Sequence, residues 1–295
     1  MTPATRHSTA RYRGRFAPSP SGPLHHGSMF TALASFLDAR HAGGYWLLRI
    51  EDIDPPREAP GAAESILRCL AHHGLQHDSN VLYQHTRSHA YDLALEQLEA
   101  QGKLFYCACT RRELRQGGNC GGRCGRNAAR SDGPIALRVR VNNEFEASFT
   151  DVIQGEQTLQ NAEIPRDFVV RRKDGLYAYQ LAVVVDEAFQ GITHVIRGAD
   201  LLPTTFQQRY LQQALALPPP AYGHVPVVTD TRGRKLSKQN HAAAVDCATP
   251  LATLRRLLRL LGQCEPAAST LREALDEAAR QWDREALRGI SSIPG

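Results

Sequence analysis

Apolar and polar positions alternate in blocks along the first hundred residues. Arg15-Phe16-Ala17 reads as a short strand, ended by the proline-rich stretch Pro18–Pro23. Beyond it Phe30, Leu33, Phe36 and Leu37 fall at helical spacing, which predicts a helix beginning near Gly27 or Ser28 and stopped by Gly43-Gly44. Tyr45–Ile50 predicts a buried strand that delivers Glu51, Asp52 and Asp54 at its C-terminal end. Pro60 suits the first turn of a second helix with Ile66, Leu67 and Leu70 inward and Gly74 as its stop, and Tyr91–Gln101 predicts a third carrying Leu95 and Leu98. Strand and helix therefore alternate as in a parallel α/β sheet. From Phe105 the texture changes to Cys, Gly and Arg, and the helical period is lost until about Asn127. Ile135–Val141 and Phe168–Arg171 look like short strands, and Leu181–Val185 and Thr193–Ile196 like buried ones. A helix over Thr205–Leu217, the break Pro218-Pro219-Pro220 and a last strand Val225–Thr229 follow, then helices over 250–261 and 270–288.

This pattern divides the chain into a tail (1–14), a first half of an α/β domain (15–104), an insertion (105–190), a second half (191–245) and a C-terminal helical segment (246–295). The 295 residues, 42% hydrophobic and 22% charged, are enough for a sizeable core. No run is long enough to cross a bilayer, and Met1–Phe16 is polar and arginine-rich, so the expectation is a cytoplasmic protein with no membrane partner. The net charge of +5 allows nucleic acid as a partner without requiring it. Of 35 basic residues only Lys103, Lys173, Lys235 and Lys238 are lysine, and two of these stand close together.

Three stretches carry candidate chemistry. Pro18–Ser28, between a strand and a helix, makes a tight turn whose helix N-terminus offers N–H groups to phosphate, with His25 or His26 as a further donor. A proline-rich connector with two exposed histidines is the alternative. Arg232–Gln239, after a strand, gathers cations and a hydroxyl that suit a clamp on a polyphosphate, or else form a solvated basic turn. A chain that nearly always uses Arg but places two of four Lys here calls for compact ammonium groups. The third is Cys107, Cys109, Cys120 and Cys124. Two close pairs across a Gly/Arg loop suit a tetrahedral zinc site, one ion per chain, against the alternative of unligated thiols. Arg111, Arg112, Arg115, Arg123 and Arg126 would offset its charge, while Cys69, Cys247 and Cys264 read as ordinary core or surface cysteines.

Together the first two stretches resemble the paired signatures of class I aminoacyl-tRNA synthetases. Arg15-Phe16-Ala17-Pro18-Ser19, Arg49–Asp54, Tyr179–Asp186 and Ile196–Leu202 narrow the resemblance to the glutamyl/glutaminyl branch, over about residues 15–261. Ser28 departs from the branch by standing where its second signature histidine falls. The resemblance implies a Rossmann-type nucleotide-binding domain split by a zinc-containing insertion. It implies that Arg15 and Arg197 hold the two carboxylates of L-glutamate, that Ser19 within 15–19 assists, that Glu51 takes the ammonium and that Tyr179 lines the pocket. His25, Gly27, Lys235, Leu236, Ser237 and Lys238 would bind ATP, with Lys238 stabilising the transition state, Lys235 helping, and Mg²⁺ accompanying the nucleotide.

Only 57 of the 295 residues follow Lys238, so the expectation is short C-terminal helices and no anticodon-binding domain. Short chains of this kind, with Gln239-Asn240-His241 after the lysine loop and Ser28, resemble the glutamyl-queuosine tRNA(Asp) synthetases. That family forms glutamyl-adenylate without tRNA and transfers glutamate to queuosine in the anticodon stem-loop of tRNA(Asp). A monomer is expected. A truncated synthetase charging the 3′ end of tRNA(Glu) and a non-catalytic RNA-binding paralogue remain as alternatives; intact Glu51, Tyr179, Arg197 and Lys238 count against the second.

Overall fold

A parallel sheet with apolar residues on both faces organises the chain. The computed structural model describes residues 11–114, 120, 124, 133–141, 145, 147–160, 163–230, 233–236 and 244–295. Its elements begin with β1 (Arg13–Phe16), α1 (His26–His41), β2 (Tyr45–Ile50), α2 (Ala62–His72), β3 (Leu82–Tyr83) and α3 (Ser88–Ala100). Next come β4 (Leu104–Cys107), β5 (Ala136–Arg140), β6 (Ser148–Asp151), β7 (Gly155–Thr158), β8 (Asp167–Arg171) and α4 (Tyr179–Phe189). The chain continues through β9 (His194–Gly198), α5 (Leu202–Ala214), β10 (Ala221–Val225), β11 (Val227–Thr229), α6 (Pro250–Leu260), α7 (Leu271–Arg280) and β12 (Ser292–Pro294).

β1, β2 and β3 pair in parallel, as do β9 and β10. The Thr193 N–H donates to Arg13 O at 3.0 Å and lays β9 beside β1. Because side chains alternate along a strand, each strand feeds two cores. Trp46, Leu48, Phe16, Ile196 and Val225 face one core with α1, α2, α6 and α7. Leu47, Val195 and Tyr222 face the other with α3, α4 and α5. The insertion strands β4, β5 and β8 form an antiparallel sheet, with β6 and β7 a separate hairpin. Val139, Phe149, Phe168 and Val170 of these strands join the second core rather than forming one of their own. The C-terminal helices merge with the first core through Leu254, Leu257, Ala274 and Trp282. There the buried Asp38 accepts hydrogen bonds from the Tyr12 hydroxyl, from Trp282 Nε1 at 2.9 Å and from the Arg284 guanidinium.

Three expectations need correcting. Leu181–Val185 is not a strand but the middle of helix α4. It is apolar all round because it lies between neighbours, and Val183-Val184-Val185 carries no helical stripe for a pattern to reveal. The tail does not reach residue 14: β1 begins at Arg13 and Tyr12 is buried, while residues 1–10 lie outside the described residues. Helix 270–288 ends at Arg280 and is followed by a short 3₁₀ turn and β12, a strand too brief to show a period.

Candidate active site and cysteine cluster

The register of the sheet decides which polar groups meet. Arg15 pairs with Leu47 across β1 and β2, so Arg15 and Arg49 share the face of Leu47. Arg197, two residues beyond Val195, lies on that same face of β9 and is paired in register with His224 of β10. Three guanidiniums thus come up at the C-terminal ends of neighbouring strands, each less than 5% exposed. Helix α4 covers them and supplies the counter-charge. Glu187 Oε1 accepts from Arg15 Nε at 3.2 Å and Nη2 at 3.0 Å, and lies 3.7 Å from Arg49 Nη2. Arg49 Nη2 also donates to Glu51 Oε1 at 3.2 Å, and Nη1 to Gln190 at 3.0 Å.

Tyr179, at the start of α4, is surrounded by the charges of Glu51, Arg197, Arg15 and Glu187. Burial and then Glu51 raise its phenol above the usual range. Burial also pushes the Glu51 carboxyl up, against the pull of Arg49 and Arg15. Arg197 donates from Nε to His224 Nε2 at 3.0 Å and from Nη2 to Thr205 Oγ1 at 2.7 Å. Its Nη1, out of solvent, has no hydrogen-bond partner among the described residues. His224 in turn donates from Nδ1 to Asp151 Oδ2 at 2.5 Å, so its Nε2 is an acceptor and the ring is held neutral. Burial, above all, keeps this imidazole below the usual histidine range. Sequence reasoning missed Arg49, Glu187, His224 and Asp151 as site residues. Their spacing carries no local signal, since Arg15 and Glu187 are 172 positions apart.

Around this array, Phe16 turns its ring into the first core against Trp46, and Ala17, Pro18 and Ser19 form the loop that follows. The Glu51 N–H donates to Pro18 O at 3.0 Å and closes that loop onto the end of β2. His25 is the N-cap of α1: its Nδ1 accepts from the Ser28 N–H at 3.2 Å, leaving Nε2–H to donate to Ser28 Oγ at 2.9 Å. The backbone N–H of residue 28 thus sets the tautomer of the remaining histidine, and the serine that departs from the signature supplies the acceptor for its Nε2–H. A Cβ on Gly27 would come within 3.4 Å of Leu236 O and 3.2 Å of the His25 ring. Ala244 forms a bridge with His25, and the Val245 N–H donates to Leu24 O at 2.9 Å. Leu236 and Ala244 therefore both reach the first signature turn. Ser237 and Lys238, between them, lie outside the described residues, as does Arg232. Lys235 forms an ion pair with Asp200 at 2.5 Å.

In the insertion, Cys107, Cys109, Cys120 and Cys124 bring their sulfurs within 4.8 Å of one another and could hold a metal ion. Sγ separations of 3.7 Å (Cys109–Cys120) and 3.3 Å (Cys109–Cys124) are near the roughly 3.8 Å edge of a tetrahedral zinc–thiolate site. Asp167 of β8 accepts the Cys120 N–H at 3.0 Å, and Lys173 Nζ holds Ala108 O at 2.7 Å. Burial pushes the Cys107 thiol up to about 11. Arg111 and Arg112 are exposed nearby; Arg115, Arg123 and Arg126 lie outside the described residues. Among the described residues no helix is long and apolar enough to cross a membrane.

The model of the catalytic domain of class I tRNA synthetases (E and Q) matches residues 11–125 and 122–269. A glutamyl-Q tRNA(Asp) synthetase of Xanthomonas campestris pv. campestris is 48% identical over 97% of this chain and 96% of its own length. Another, of Burkholderia cenocepacia, is 50% identical over 85% of this chain and 88% of its own. Among solved structures, a glutamate–tRNA synthetase from Elizabethkingia anophelis aligns with a TM-score of 0.81 at 25% identity, covering 97% of this chain and 68% of that one. The α/β fold with its parallel sheet is that of the class I catalytic domain, and the chain belongs to the glutamyl-Q tRNA(Asp) synthetase family of synthetase-like ligases.

Proposed function

We propose that the chain activates L-glutamate as glutamyl-adenylate without tRNA and then transfers it to queuosine in the anticodon of tRNA(Asp). The observation that carries the amino-acid half is Arg197 Nη1, a buried donor without a partner among the described residues, beside Arg15, Glu51 and Tyr179. A buried guanidinium N–H left unpaired is costly, and a carboxylate is the ligand that relieves it with the best geometry. In this reading Arg197 and the remaining face of Arg15 take the two carboxylates, Glu51 takes the ammonium and Tyr179 orients the chain between them. His224, held by Asp151, keeps the guanidinium of Arg197 aimed.

One carboxylate oxygen attacks the α-phosphorus of ATP and pyrophosphate leaves. The N-terminus of α1, with Gly27 leaving room for the phosphates, favours the negative charge that builds up there. Lys238 neutralises the developing charge at the α-phosphate and Lys235 assists from its pairing with Asp200. Mg²⁺ carried in with ATP would offset the charge of the polyphosphate. A nucleophile on the modified base then attacks the carbonyl carbon and AMP departs. Cys107, Cys109, Cys120 and Cys124 would hold one structural Zn²⁺ that shapes the insertion. Arginines on phosphates and a splayed base would recognise the anticodon stem-loop. A monomeric, cytoplasmic enzyme is consistent with this reading.

The decisive experiment offers labelled glutamate and ATP with tRNA from cells with and without queuosine. Label on tRNA(Asp) in the queuosine-containing pool alone is expected. Equal labelling of tRNA(Glu) in both pools would overturn the anticodon reading in favour of 3′-end charging.

A further inference from the structure

A second group of soft ligands lies away from the cysteine cluster of the insertion. Cys69 and His73 are four residues apart at the C-terminal end of α2, a spacing that puts both on one face of the helix. Cys247, from the chain that returns toward α6, meets them, and the ligand atoms of Cys69, His73 and Cys247 all lie within 4.8 Å of one another. His73 is only 4% exposed. Its Nδ1 lies 2.8 Å from Cys69 O, where it donates, and 3.9 Å from Cys69 Sγ. That leaves Nε2 with the lone pair, buried and without a hydrogen-bond partner among the described residues. His26 stands near enough for the two rings to oppose each other's charging, and its Nδ1 is likewise out of solvent and unpartnered among the described residues. Buried polar atoms are nearly always satisfied, so an orphaned imidazole nitrogen beside two thiols calls for a ligand.

We propose that Cys69, His73 and Cys247 form a second metal site, for a soft borderline divalent ion such as Zn²⁺, with water available for the fourth position. Two thiolates and an imidazole match the preference of that ion and are poor ligands for Mg²⁺ or Ca²⁺. Binding would displace the thiol protons. The position gives the ion a structural consequence. Ala244 and Val245, just ahead of Cys247, are bonded to His25 and Leu24 at the first signature turn. An ion at Cys247 would clip the chain leaving the Lys-Leu-Ser-Lys segment onto α2. The inference stands on this geometry whatever substrate the chain acylates.

The test is zinc content per chain, by mass spectrometry, of tag-free full-length protein purified with zinc and freed of excess ion. Cys247→Ser and His73→Gln are each expected to lose one equivalent relative to the unmodified chain, whereas the pair Cys109→Ser and Cys124→Ser loses the other. Loss with Cys247→Ser but not with that pair would defeat the four-cysteine reading and leave this site standing. An unchanged zinc count in Cys247→Ser, with circular dichroism showing a folded chain, would overturn the proposal. Because Cys247 is half-exposed, its replacement decides the matter even if His73→Gln does not fold. Cobalt substitution adds a second readout: Cys247→Ser should lose the share of thiolate-to-cobalt absorption that belongs to this site.

Discussion

The pocket around Tyr179 and the cysteine cluster of the insertion both crowd like groups together, and the fold supports them in opposite ways. Arg15, Arg49 and Arg197 sit on strands whose register is fixed by apolar residues facing two cores, and the carboxylates that balance the first two come from the residue after β2 and from α4. Among the described residues, the cysteine cluster has only Phe105, Cys107 and Cys120 as its buried members. One site is positioned by packing and then charged. The other would be positioned by a metal ion that its sulfurs could hold.

The sharpest way to break the comparison is to test whether the packed pocket performs the chemistry assigned to it. Lys238→Ala should lower glutamate-dependent ATP–pyrophosphate exchange by about 10²–10³-fold, the scale of losing one transition-state charge partner, with an unchanged circular dichroism spectrum. Full exchange in that variant would remove the assigned role. Glu187→Ala should cost about 3–5 kcal/mol in denaturant unfolding, because it leaves Arg15 buried without its carboxylate, while Arg49 keeps Glu51. A loss below about 1 kcal/mol would mean that packing alone holds the pocket. Chelation should act on the other region: zinc removal is expected to open the segment 108–135 to protease while exchange continues. Loss of exchange in step with cleavage would show the two regions to be one cooperative unit.

Acid should weaken the pocket more gradually. Burial depresses His224 in the folded chain, so the unfolded chain binds its proton first. The stability present above about pH 6.5 is then lost as the pH falls through the depressed value. His26 and His194 are depressed by burial too and act in the same direction. Melting temperature should therefore fall between about pH 7 and pH 5, less steeply in His224→Gln, and an identical slope in that variant would contradict the neutral ring. The smallest effect belongs to Ser28→Ala, which removes the acceptor of His25 Nε2–H. One hydrogen bond of about 1 kcal/mol corresponds to about a fivefold rise in KM for ATP. No change would make Ser28 incidental to the signature turn.

Much of the sheet was legible because β2 and the helices on either side of it carry apolar spacing and glycine stops. Gly74, for instance, has a φ of +73° just past α2, as its position implied. Helix α4 was not legible: Leu181 to Val184 are buried, and so are Asp186 and Glu187, so neither a stripe nor a polar face remained. The motif residues Arg15, Glu51, Tyr179 and Arg197 could be named in sequence, but the groups that hold them could not. Glu187 lay two residues beyond Leu181–Val185, the part of α4 misread as a strand, and the pairing of His224 with Asp151 joins residues 73 positions apart. Cys69 and Cys247 read as unremarkable for the same reason, since only the fold brings them together.

Asp38 has a mechanical consequence. The approach to β1 and the segment after α7 are fastened to this single carboxylate, through Tyr12 on one side and Trp282 and Arg284 on the other. A tension applied between residues 12 and 284 is borne across that junction first. The strands that carry the arginines lie outside this short load path, so a pull on the two ends spends its first work on Asp38 and leaves the pocket unstrained until the knot gives way.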